Sequence, residues 1–188
     1  MRELSLHVLD VLENALAAGA TLIDLEITES SASNRLTISV TDNGRGMDHE
    51  MLARVSDPFF STRTTRNVGL GLPLFKVAAQ RCNGDLTVWS QPGVGTRVVA
   101  EFQRDHLDRA PLGDMLSTLL GVLLSDRLHD LRYEHRVDGR AFTLDTRELR
   151  EVLEDVPLNS YDVMEWIRGN LQEQYEMLPE DSDQSGED

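Results

Sequence analysis

The 188-residue chain has one cysteine, Cys82, and one lysine, Lys76. A lone cysteine excludes an internal disulfide framework and fits a reducing compartment. No apolar run approaches the roughly 20 residues that a membrane-spanning helix needs. The first residues, MRELSLHVLDVLENA, alternate apolar and charged side chains where a secretory signal would carry an apolar block. No segment repeats. A basic footprint for nucleic acid is missing as well: the formal net charge is −15, and an acidic surface repels phosphate backbones. These absences point to a cytoplasmic protein that engages neither nucleic acid nor membrane. Nothing in the sequence explains why every basic residue other than Lys76 is Arg.

The charge that is present is unevenly placed. Residues 1–104 carry 12 acids and 10 bases, whereas residues 105–188 carry 21 acids and 8 bases. The composition shifts near Asp105, which divides the chain into a near-neutral part, 1–104, an acidic part, 105–176, and a tail, 177–188. The end of the tail, PEDSDQSGED, is acidic, lacks apolar residues and is expected to be disordered.

Periodicity gives the elements. Residues 2–18 read as an amphipathic helix, with Leu4, Val8, Leu12 and Ala15 at three- and four-residue spacing and Gly19 as its stop. LIDLEIT and LTISV alternate as half-buried strands around the polar turn SSASNR. A short helix at 48–55 follows, then an aperiodic loop, then a helix at 72–82 with Pro73 in its first turn. DLTVWS and TRVVAEF are strands flanking QPGVG. That order predicts an α+β fold, a two-layer α/β sandwich with helices on one face of a mixed, mainly antiparallel sheet. Residues 105–176 read as a small C-terminal α/β appendage: an apolar helix in PLGDMLSTLLGVLL, a hairpin turning at Asp138-Gly139, and helices at 146–155 and 160–175. Asp145 with Glu148 three residues on forms a capping-box pattern. Cys82 and Trp89 read as structural side chains, and Trp166 as core or interface.

Five stretches carry the chemistry, each ambiguous by itself. VTDNGRGMD is either a glycine-rich hairpin turn or the rim of a nucleotide pocket, in which Asp42 accepts from an exocyclic amine and the glycines let a flat ligand approach the backbone. LDVLENALAAGAT puts Asp10 and Asn14 four apart on one helix face, a solvated stripe or a site for hydrated Mg²⁺. DPFFSTR has two adjacent aromatics in a polar loop. NVGLGLPLFK brings Gly69 and Gly71 to a helix N-terminus, where N–H groups and the helix dipole favour phosphate. It has neither P-loop spacing nor a Rossmann strand–turn–helix context. PGVGTRV starts a strand at Thr96, whose hydroxyl could share a water with Asp42.

Taken together and in this order, the five stretches resemble the GHKL (Bergerat-fold) family of ATP-binding domains, which spans gyrase, heat-shock chaperones, histidine kinases and mismatch-repair ATPases. LENALAAGA is similar to the N box, DNGRGM to the first Gly box, DPFFSTR to the F box of histidine kinases, VGLGLPLFK to the second Gly box and GVGT to the final Gly-Thr segment. The likeness covers about residues 5–103. It implies ATP and Mg²⁺ as cofactors, with Asn14 as metal ligand. Asp42, Gly46 and Thr96 would hold the adenine, and Gly44 would make room for it. Gly69 and Gly71 would face the phosphates under a lid at 57–68 carrying Phe59, with Arg63 and Arg66 reaching the β- and γ-phosphates. The ATP-hydrolysing branch places a Glu four residues before the Asn; here Asp10 stands there as a candidate base.

The sequence also departs from that family. The strand and helix that usually precede the N box are missing, so the sheet is expected to be shortened or completed by a partner. Asn67 replaces the first Gly of the second Gly box. None of the five histidines has a phospho-acceptor context; His7 lies inside the N-box helix and His49 precedes Glu50 in the short helix that follows. The implied function is Mg-dependent ATP binding, with hydrolysis or γ-phosphate transfer to a protein partner. The alternative is a non-catalytic, ATP-responsive module that docks to a partner protein. The acidic part suggests a protein partner or an oligomer contact.

Overall fold

The structure, a computed structural model, describes residues 3–55, 71–125, 127 and 129–179. Its elements are α1 (Leu4–Ala17), β1 (Leu22–Ser30), β2 (Arg35–Asp42), α2 (His49–Val55), α3 (Gly71–Arg81), β3 (Asp85–Gln91), β4 (Gly95–Gln103), α4 (Met115–Leu123), β5 (Asp130–Val137), β6 (Arg140–Asp145), α5 (Thr146–Leu153) and α6 (Tyr161–Met177). The strands form one six-stranded sheet in the order β3-β4-β2-β1-β5-β6. Every pair is antiparallel except β1 with β5, which run parallel.

Alternation decides which face is covered. Ile23, Leu25 and Ile27 of β1 align with Leu131, Tyr133 and His135 of β5, and Leu25 and Ile27 with Val40 and Ile38 of β2. All are buried, beneath α1, α3, α4 and α6, whose apolar faces belong to the same core. The other face carries charge: Arg35 meets Glu101 at 3.0 Å, and Arg132 meets Asp24 at 3.0 Å. This is the two-layer α+β sandwich that the periodicity predicts. Trp89 falls on the open face opposite Arg97 and is 54% exposed, so it is not a core residue. Trp166 lies exposed on α6, whose buried side is made by Val163, Met164, Ile167 and Leu171.

The expected gap beside β1 is filled from within the chain. Eight residues of β5 lie along the β1 edge, so the sheet is neither short nor dependent on a partner there. The β5–β6 hairpin turns as DG dictates, with Asp138 and Gly139 both at positive φ (46° and 86°). The Asp138 carboxylate accepts from the Ser31 N–H at 2.7 Å and its hydroxyl at 2.6 Å, tying this turn to the β1–β2 turn. Asp145 caps α5, but through the Arg147 N–H at 2.9 Å. α1 has no side-chain cap. Instead its first free N–H groups, of Leu4 and Ser5, donate to the carbonyls of Pro111 and Leu112 at 3.0 and 2.8 Å.

A buried hydrogen-bonded chain crosses the β1–β5 seam. Tyr175 and Tyr133 share a 2.6 Å hydroxyl contact, Tyr133 reaches His135 Nδ1 at 3.2 Å, and His135 Nε2 faces Glu29 at 3.2 Å. Arg104 lies 3.5 Å from the second Glu29 oxygen. Burial pushes the Glu29 carboxyl up, but His135 and Arg104 outweigh it and hold the group below its ordinary range.

His7 makes the core acid-sensitive. It is 4% exposed and stacks flat on Phe75, with centroids 4.9 Å apart and planes at 6°. Its Nδ1 has no hydrogen-bond partner among the described residues, and burial lowers its pKa from 6.5 to about 4. Between those values the unfolded chain binds a proton that the folded chain does not, so stability falls as pH drops from 6.5 through about 4. His7→Phe keeps the stack and removes the titration. Urea unfolding of this variant at pH 7 and pH 4.5 is expected to show an acid loss smaller than in the wild type by roughly 2 to 3 kcal/mol. An unchanged difference refutes the assignment.

Candidate functional site

The site sits at one end of the covered face, where a row of polar residues crosses three strands. Ser90 of β3 pairs with Thr96 of β4, and Thr96 pairs with Asp42 of β2. Asp42 closes β2 and is 9% exposed. Burial pushes its carboxyl pKa up, while the backbone N–H groups of Gly44 and Thr96 pull it partly back. One of its oxygens, Oδ1, accepts from the Gly44 N–H at 2.8 Å.

The loop after Asp42 is fixed by three devices. The Asn43 carboxamide oxygen accepts from the N–H groups of Thr21 and Leu22, both at 2.9 Å, clipping the loop to the start of β1. Gly44 packs against α1: a Cβ on it would come within 2.9 Å of both the Ala18 Cβ and Asp42 Oδ1. Gly46 holds φ at +68°, and a Cβ there would lie 2.0 Å from the Gln91 carbonyl oxygen, so only glycine fits. Beside it, the Met47 N–H donates to the Ser90 hydroxyl at 2.8 Å.

Above this floor lies a cleft between α1, α2 and the start of α3. α1 lines it with Val11, Asn14, Ala15 and Ala17, and Ala18 just past its end adds to that wall; α2 lines it with Met51 and Val55, and α3 with Leu72. The floor is Asp42, Thr96 and Val98, and the Gly loop adds Arg45, Gly46 and Met47. A mostly apolar slot with one carboxylate and one hydroxyl at its base suits a flat, amine-bearing ring.

The structure therefore brings Asn14, Asp42, Gly46 and Thr96 together in one cleft, as the motifs suggest. Gly44 does not line it; its place is under the loop, against α1. Asp10 sits one turn before Asn14 and packs on Gly71, at the start of α3: a Cβ on Gly71 would come within 2.9 Å of the Asp10 Cβ. Burial raises the Asp10 pKa. Phe59, Arg63, Arg66, Gly69 and the lid at 57–68 lie outside the described residues. The motifs did not single out Asn43, Arg45, Met47, Met51 or Ser90. Ser90 alone left a trace, as a polar residue on β3 that shares the core-side parity of Val88.

An apolar slot over a buried strand-end carboxylate, on the covered face of an open sheet, is a setting that a flat, amine-bearing ring fits. The chain belongs to the histidine kinase-, DNA gyrase B- and HSP90-like ATPase family, whose model matches residues 2–106. It is 33% identical over 94 residues to the Sensor-like histidine kinase SenX3 of Mycolicibacterium smegmatis, a match covering 47% of this chain and 24% of that protein. It is 43% identical over 89 residues to the Sensor protein kinase FleS of Pseudomonas aeruginosa, covering 47% of this chain and 22% of that one. With the Signal transduction histidine-protein kinase AtoS of Escherichia coli the figures are 36% over 96 residues, 50% and 16%. The chain thus shares with each of these relatives a quarter or less of the relative's length. It carries an ATP-binding, histidine-kinase-like module. Among the described residues no helix is long and apolar enough to cross a membrane.

Proposed function

We propose that this chain binds ATP with Mg²⁺ and passes the γ-phosphate to a protein partner in the cytoplasm. The observation that carries the reading is the placement of Asn14 on the cleft wall facing the Asp42 floor. An adenine seated on Asp42 directs its phosphates along α1 toward Asn14 and the α3 N-terminus, where N–H groups favour anions. Mg²⁺ fits this donor set. It keeps several waters and takes its remaining ligands from phosphates, so one carboxamide oxygen suffices. Among the described residues no cluster of three His, Cys, Asp or Glu offers a cage without the nucleotide. Bound there, Mg²⁺ would neutralise charge developing on the transferring phosphoryl group. Arg45 brings a permanent positive charge to the same cleft.

Hydrolysis is the second reading, and Asp10 favours it. Its burial-raised pKa makes it a stronger base than an ordinary carboxylate, and it stands one helical turn from Asn14. Incubation with γ-labelled ATP and Mg²⁺, with and without cell extract, separates the two. Transfer predicts label on a protein, and Asp10→Asn retains it. Hydrolysis predicts free phosphate, lost in Asp10→Asn by about 100-fold or more. Neither product, with ATP still bound, identifies a switch that docks without chemistry.

A further inference from the structure

We infer that Ser90 sets the purine selectivity of the cleft by fixing the Thr96 hydroxyl as an acceptor. The inference rests on the adenine reading of the cleft above and concerns a residue outside its lining. The Ser90 hydroxyl has three neighbours: the Met47 N–H at 2.8 Å, the Gly95 carbonyl at 3.0 Å and the Thr96 hydroxyl at 2.9 Å. Proton accounting orders them. The Met47 N–H only donates and the Gly95 carbonyl only accepts. Ser90 has one proton, which goes to Gly95. The Ser90–Thr96 contact is then made by the Thr96 proton, pointing away from the cleft.

What remains on Thr96 toward the ligand is a pair of lone pairs. The same holds next to it. Asp42 Oδ1 is engaged by the Gly44 N–H, and Oδ2, of an ionised carboxylate, offers only acceptance. Thr96 and Asp42 are cross-strand partners and both line the cleft. The floor is therefore acceptor-only over two strands. A 6-amino purine or a bridging water satisfies it with N–H or O–H. A 6-oxo purine puts an oxygen where the amino group donated, against Asp42 and Thr96; its N1–H can relieve at most one of the two, and a buried acceptor left facing another is costly. Ser90 touches no ligand; it is a positioning residue. Without it, the Thr96 hydroxyl is free to rotate and donate inward, and the floor accepts either purine edge.

The test is the ratio of dissociation constants for ATP and inosine triphosphate, which differ at position 6 and in the proton on N1, by calorimetry on the full chain. Wild type is expected to prefer ATP by about 100-fold or more. Ser90→Ala should reduce that preference by about 10-fold, mainly by tightening inosine triphosphate binding. Ser90→Thr, which keeps the hydroxyl, should restore the preference. Loss of the Met47 bond alone would weaken both nucleotides together, so a ratio within about twofold of wild type in Ser90→Ala overturns the inference. Failure of Ser90→Thr to restore the ratio overturns it too. Wild-type protein that binds neither nucleotide overturns the ATP reading itself.

Discussion

Asp42→Ala is expected to abolish measurable ATP binding while changing the stability of the fold little. Among the described residues the carboxylate is the one charged group on the cleft floor, and a hydrogen bond to a charged acceptor contributes about 1.5–3 kcal/mol, with a further penalty for an adenine amine left unpaired. Together these raise Kd by about 100-fold or more. Stability responds to two opposed effects. Burial raises the Asp42 carboxyl pKa, so the folded chain holds this charge at a cost. The folded state takes up a proton before the unfolded one, and the cost relaxes as pH falls, opposite in sign to His7. Removing the carboxylate removes that cost but orphans the buried Gly44 N–H, and the two effects largely offset. Calorimetry with ATP and a thermal melt on the same sample check both halves. Retained ATP affinity in Asp42→Ala would mean that adenine is not seated on this strand end. In wild type, affinity is expected to weaken in acid as Asp42 takes up its proton.

The cleft was legible because its parts are local. The Asp42 strand end, the glycine whose φ must be positive and the Asn14 helix each leave a mark in a few consecutive residues, and their order along the chain joins them. What was not legible depends on residues far apart in sequence. Nothing near Asp130 announces that β5 runs beside β1, because a parallel strand needs no turn linking it to its neighbour and alternation specifies a face without naming a partner. The carbonyls of Pro111 and Leu112 that satisfy the α1 start belong to the segment between β4 and α4, where nothing local in the sequence marks a contact with α1. Ser90 was missed because its role lies in which way a neighbour's proton points, and that follows only from three simultaneous contacts. Trp89 shows the opposite error: a large apolar residue on a strand reads as structural, but its parity puts it on the open face with Arg97.

The seam between β1 and β5 yields the other large expectation: a chain ended at Arg104 should not fold. Every motif of the nucleotide site precedes that point, yet the core does not. Leu119, Leu131, Tyr133, Leu144, Ile167 and Leu171 are all buried in the same cluster as Leu4, Leu12 and Leu25. Each fully buried side chain contributes about 1.5–3 kcal/mol, and a domain is stable by only about 5–15 kcal/mol. Losing three or four of them exhausts the margin. Truncation also bares the β1 edge, frees the α1 N–H groups from Pro111 and Leu112, and leaves Glu29 with Arg104 but without His135. The graded form of the same experiment is Tyr133→Ala, which opens a cavity and orphans the Tyr175 hydroxyl, at an expected cost of about 3–5 kcal/mol. Urea unfolding followed by circular dichroism reads both. A cooperative transition in the 1–104 chain, with ATP bound as tightly as by the full chain, would mean that the first four strands hold the cleft unaided. The expected outcome, no transition and no ATP bound, means that the adenine floor is held in place by residues that the family match at 2–106 does not reach.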